Sequence, residues 1–181
     1  MGLLSVWFPG EYRWIDSARF RIGGTAPTPS THDVLSALLR HDHYVDAYQF
    51  ADKTAGHVDG GRNIRNSRHL PDDDGRPEHG SYYMSRINVD TFDELSGPEG
   101  RRALEEWVDS GVSVPPRRSR IQGDLPSILQ ALAAAPAVYR LQDLGDAAWQ
   151  PAGFVLDEPY LELVAIDLPN RSLHLVAAGG D

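Results

Sequence analysis

Histidines and carboxylates are the groups in this chain best suited to chemistry near neutral pH. Of its seven histidines, His32, His41, His43, His57, His69 and His79 all lie in the first half. His41-Asp42-His43 would place two imidazoles on one side of an extended segment, and His57-Val58-Asp59 adds a third nitrogen and a carboxylate. Imidazole with oxygen suits a divalent metal such as zinc, iron or manganese. His41, His43 and His57 are therefore candidate metal ligands, and His41, His57 and Asp59 are candidates for acid–base work. A blander reading competes with it. His41 and His43 follow the end of a helix, where positive charge meets the negative end of the dipole. No HExxH helix accompanies them.

Arg62, Arg65 and Arg68 recur every third residue after Gly60-Gly61. If that stretch is helical, the three guanidinium groups share a face and form a candidate clamp for a phosphate or carboxylate. Arg117, Arg118 and Arg120 form a second basic cluster. Neither the Walker pattern nor the dinucleotide fingerprint is present, and surface ion pairing to the many aspartates is the competing account. Asp72-Asp73-Asp74-Gly75 resembles part of a calcium loop, but the EF-hand frame puts Leu70 and Ser81 at its two terminal ligand positions. That motif fails.

Nucleophilic catalysis has little to work with. There is no cysteine, no GxSxG elbow and only one lysine, Lys53. The absence of cysteine also removes disulfides, zinc–thiolate sites and iron–sulfur clusters. The paired carboxylates Glu105-Glu106 and Glu158…Glu162 fall on the surfaces of predicted elements. Trp7, Trp14 and Trp107 read as core, and Trp149 as the tryptophan that could be exposed as a contact.

The elements that would position these groups can be read from patterning. Residues 3–8 and 12–22 are extended, separated by Pro9-Gly10. Ser30 or Thr31 caps a helix to about Arg40, with Val34, Leu35, Leu38 and Leu39 on one stripe. Residues 44–50 read as a strand. Residues 56–80 hold three large aliphatic side chains and no aromatic, so they read as a long polar loop, the length at which loops tend to be functional. A strand is expected over 82–89. Thr91-Phe92-Asp93-Glu94 fits a capping box before a helix that runs through Pro98 to about Ser110, with Leu104, Trp107 and Val108 inward. Asp124 caps a helix over 125–135, with Ile128, Leu129 and Leu132 inward and Pro136 as its stop. Strands follow at 137–144, 152–156, 161–168 and 173–178, the last two joined by Pro169-Asn170-Arg171. About three helices among six or seven strands predict one α+β domain over 1–181, with a largely antiparallel or mixed sheet and a C-terminal β-hairpin.

Bulk properties narrow the function classes. The chain has 181 residues, Lys+Arg 17 against Asp+Glu 26, and a formal net charge of −9. That balance opposes sequence-independent binding to nucleic acid and to anionic membrane surfaces. Sixteen of the basic residues are arginine, a skew expected of a GC-rich bacterial genome, so arginine content is discounted as a signal. No signal peptide or apolar span is visible, which predicts a cytoplasmic protein. Two functions remain open. One is an acidic binding or regulatory protein, immunity- or inhibitor-like by composition, whose second half meets a basic protein partner. The other is a small-metabolite enzyme with its site in residues 41–80, metal-dependent or taking a small anionic ligand.

Overall fold

Apolar residues at both ends of the chain converge on one sheet. The computed structural model describes residues 2–7, 13–23, 29–41, 44, 78–79, 82–110, 122–145 and 160–180. Its strands are β1 (Gly2–Trp7), β2 (Arg13–Arg21), β3 (Glu78–His79), β4 (Tyr82–Tyr83), β5 (Phe92–Leu95), β6 (Gln122–Gly123), β7 (Ala137–Leu141), β8 (Leu161–Asp167) and β9 (Ser172–Gly180). Seven of them form a sheet in the order β5-β7-β8-β9-β2-β1-β6, and β3 and β4 form a separate pair. All the pairings are antiparallel. The helices of the described residues are α1 (Thr31–Leu39), α2 (Gly97–Asp109) and α3 (Leu125–Ala134). The α+β reading with a C-terminal hairpin, β8–β9, is what the structure has.

β8 explains the layering. Its sequence Leu-Glu-Leu-Val-Ala-Ile-Asp is nearly all apolar, and residues 161–166 are buried on both faces. Leu161, Leu163 and Ala165 join Val6, Ile15, Val176 and Ala178 under Leu104, Trp107 and Val108 of α2 and Ile128 and Leu132 of α3. Val164 and Ile166 face the other way, with Leu173, Leu175 and Tyr139 under Val34, Leu35 and Leu38 of α1. Each such side chain contributes roughly 1.5–3 kcal/mol when removed from water. The sheet is thus covered on both faces, a condition that matters for any polar group placed inside it.

Capping followed the expected chemistry at α1 and shifted at α2. Ser30 caps α1, with Asp33 N donating to Ser30 Oγ at 3.1 Å and Ser30 N to the Asp33 carboxylate at 3.0 Å. The Thr91–Glu94 capping box is not formed. Asn88 instead caps a 3-10 turn over Val89–Thr91, and Phe92–Leu95 runs as an edge strand against β7. The working box lies five residues later, where Ser96 N donates to Glu99 Oε2 at 2.8 Å. Both Thr91 and Ser96 have an acid three residues on. The choice falls to Phe92, which is buried against Leu141 only if 92–95 is extended. α3 begins after Asp124 as expected, although that carboxylate makes no cap bond.

The strand expected over 82–89 is also shorter. Only Tyr82–Tyr83 is extended, followed by a 3-10 turn at Met84–Arg86. The expected strands at 44–50 and 152–156 lie outside the described residues, apart from Tyr44.

α2 and α3 meet at a glycine. A Cβ built on Gly97 would lie 2.6–2.8 Å from the carbonyl oxygens of Ala135, Ala133 and Leu132. Backbone oxygens cannot rotate away, so the clash outweighs the better helix propensity of alanine, roughly 1 kcal/mol. Gly97→Ala is expected to destabilise the protein by about 1–3 kcal/mol, read as a lower urea midpoint at unchanged slope. An unchanged midpoint would show that the two helices separate freely at this point.

Candidate functional site

Glu162 is the second residue of β8 and is fully buried. Alternation puts it on the α1 face with Val164 and Ile166. An isolated carboxylate there would cost several kcal/mol, and it is not isolated. Tyr44 Oη donates to Glu162 Oε1 at 2.8 Å, and Tyr160 Oη donates to Oε2 at 2.8 Å. His79 Nε2 lies 2.6 Å from the same Oε2. An ionised carboxylate only accepts, so Nε2 carries the hydrogen in that state. The His79 ring stacks on Tyr44, with centroids 3.8 Å apart and planes at 17°.

Three different elements supply these groups. Tyr44 follows α1, with its backbone N–H donating to His41 O at 2.8 Å. His79 belongs to the short β3. Tyr160 immediately precedes β8. The tyrosine and histidine donors thus come from either side of residues 45–77, and both close on one carboxylate.

The sheet carries a second buried acid in the same row. Asp16 on β2 is directly opposite Ala177 on β9, which is directly opposite Glu162. Asp16 is also buried, and two strand spacings place the Cα atoms about 10 Å apart. Between them the floor is small, Ala177 and then Gly179. Trp14 lies across that glycine, since a Cβ there would be 2.9 Å from the indole Cζ2.

Chemically, the arrangement holds an imidazole by one nitrogen and leaves the other free. His79 Nδ1 is buried and has no hydrogen-bond partner among the described residues. Carboxylate-held imidazoles of this kind serve as bases or metal ligands when their far nitrogen is reachable. Here Tyr44, His79 and Glu162 are all sealed from solvent. Tyr44 is held well above the usual phenol range, first by burial and then by the charge of Glu162.

The residues singled out in the sequence fare differently. His41 is exposed at the end of α1, edge-on to Phe20 at 5.9 Å, in a shallow groove of about 320 Å³. His43, His57, Asp59, Arg62, Arg65 and Arg68 lie outside the described residues. Among the described residues no three His, Cys, Asp or Glu side chains are grouped to hold a metal. Glu105 pairs with Arg101 at 3.0 Å on α2, a surface ion pair as expected. Glu162 corrects the surface expectation outright. A polar residue in an alternating strand marks a face, and only the packing of α1 decides that this face is covered. The signal was nonetheless present, as one acid inside Leu-Glu-Leu-Val-Ala-Ile.

No family model matches the chain, and no curated protein matches it. Among solved structures, the crystal structure of citrus MAF1 is similar at 13% sequence identity, over 94% of this chain and 90% of that one, with a TM-score of 0.36. No helix of the described residues is long and apolar enough to cross a membrane.

Because the folded-state pKa of Tyr44 is raised above its unfolded value of about 10, its contribution to stability is complete below that pH. It is lost as pH climbs towards the folded value. Stability is therefore expected to fall above pH ~10, and less steeply in Tyr44→Phe, measured by urea unfolding across alkaline pH. Glu162→Ala leaves three donors unanswered and is expected to cost about 3–5 kcal/mol. Identical alkaline slopes in wild type and Tyr44→Phe would remove Tyr44 from the account.

Proposed function

We propose that this chain is an acidic binding or regulatory protein that recognises a basic macromolecular partner through its outer surface. The observation that carries the reading is the free edge of the sheet. β5 pairs with β7 on one side and, among the described residues, with no strand on the other. An open edge presents backbone donors and acceptors to an incoming chain. Asp93 and Glu94 on this strand are exposed, as are Asp90 just before it and Asp143 just after β7. Carboxylates around an open edge favour encounter with a basic surface and disfavour an acidic one.

The titratable cluster inside the fold supports the same reading by its closure. A group that performs general acid–base chemistry must reach its substrate, and Glu162 and His79 are enclosed. The outer surface is then where recognition is placed.

A second reading is favoured by one specific observation, the His79 Nδ1 that has no hydrogen-bond partner among the described residues, beside Glu162. It is a small-metabolite enzyme in which this pair is joined by His41, His43, His57 or Asp59, with a divalent metal, and by Arg62, Arg65 and Arg68 for an anionic substrate. Elemental analysis by plasma mass spectrometry separates the two. Near-stoichiometric zinc, iron or manganese that is lost in His41→Ala would favour the enzyme, since His41 is exposed and its replacement spares the fold. Metal-free protein would remove the metal-dependent version.

The binding reading has its own test. With the chain immobilised, a basic protein partner is expected to be retained at low salt and released as salt rises. Retention is expected to drop at least tenfold in the double variant Asp93→Arg, Glu94→Arg, with an unchanged urea midpoint. Equal retention by wild type and variant would overturn the assignment of this edge.

A further inference from the structure

The opposite end of the sheet carries charge of the other sign. Arg19 on β2 is paired in register with His174 on β9, and Arg21 with Ser172. The alternation of β9 puts His174 and Val176 on the α2/α3 face. Arg19 and Arg21 are exposed, and His174 is half-buried between them and the helices' apolar layer. Arg171, in the hairpin turn, is exposed at the same end, where its carbonyl oxygen accepts from Ile22 N at 2.9 Å.

This grouping disfavours a charge on His174 as it stands. Like charges directly opposite on neighbouring strands destabilise the pair. His174 is held below the ordinary imidazole range, first by burial and then by Arg19, with Asp167 acting in the opposite direction. Asp167, in the same cross-strand row as Ser172 and Arg21, feels the charge of both Arg19 and His174, and its carboxylate also accepts from Asn170 N at 3.0 Å and Asn170 Nδ2 at 2.7 Å. In a chain with 26 acids against 17 bases, two arginines and a histidine on one rigid face make no ion pair or hydrogen bond among the described residues.

We infer that Arg19, Arg21 and His174 form a binding site for a phosphomonoester. Residues two apart on a strand stand about 7 Å from one another, so two long guanidinium side chains can converge on a single anion of that size. Each guanidinium presents a fork of donors, and the pair suits a dianion with three terminal oxygens better than a single carboxylate. Strands hold their side chains in place more closely than loops do. A bound anion offsets the field of Arg19 at His174 and favours the protonated imidazole. The site stands on β2 and β9, far in the sheet order from β5, and is independent of the partner surface assigned to that edge.

The test is a titration of the full chain with inorganic phosphate at constant ionic strength, followed by the ring signals of His174 in NMR. A saturable shift is expected, with the His174 titration moving to higher pH, and affinity at least tenfold weaker in Arg19→Ala and in Arg21→Ala. Arg140→Ala, an exposed arginine on β7, is expected to bind as wild type does. A shift that is linear in phosphate, or reproduced by chloride, or unchanged in Arg19→Ala would overturn the site. Two arms distinguish the source of the group. Saturation by glycerol 3-phosphate alone supports a free metabolite, and added cosedimentation with phosphatidic-acid vesicles supports a lipid headgroup. Binding in neither arm overturns the proposal.

Discussion

The carboxylate of Glu162 sits where a sheet covered on both faces has no water to offer, and the surrounding architecture answers it with three donors. The desolvation of a buried charge is offset only when hydrogen bonds satisfy it closely. Tyr44, His79 and Tyr160 do so, and each comes from a different place in the chain. The consequence is mechanical as well as electrostatic. Segments that no apolar pattern would direct to the sheet centre are held there by one side chain. The stacking of His79 on Tyr44 extends the same contact.

The other face is organised by a buried charge too, and of opposite sign. Arg13 on β2 is buried. Its guanidinium donates to the carbonyl oxygens of Trp107 and Val108 at the C-terminal end of α2 and lies 4.1 Å over the Trp107 ring. Cations are favoured at helix C-termini, and the aromatic face adds to the attraction. The covering helix is therefore registered to the sheet by a polar contact at one end and by the Gly97 approach to α3 at the other. Between these points the packing is apolar.

Charge on the outside is distributed by the same geometry. Asp90, Asp93, Glu94 and Asp143 stand around the β5 edge, with Arg140 opposite Asp93, and Arg19, Arg21 and Arg171 stand at the hairpin end of β2 and β9. A formal charge of −9 describes neither region. The ligands proposed for the two surfaces differ accordingly, one a basic macromolecule and the other a small anion. Nothing in either requires the enclosed cluster to open.

Much of the local structure was legible from residue order. The stripe Val34, Leu35, Leu38 placed α1, Leu104, Trp107 and Val108 placed α2, and the apolar run 161–166 placed β8, because helix and strand periods are properties of neighbouring residues. The stretch 56–80 was singled out for its polarity, and its His79 does reach the candidate site. The partner it reaches was not foreseeable, because Glu162 is 83 positions away and its burial depends on α1 closing over the sheet. Likewise, Thr91 and Ser96 offer equivalent capping patterns, and only the pairing of Phe92 with Leu141 selects between them. Arg19 and His174 become neighbours through register alone. Sequence by itself determined where the chain bends, coils and extends, since those preferences are local. Tertiary structure decided which charges are buried, paired or left facing one another, because electrostatic energy depends on distance and solvent, which the order of residues does not contain.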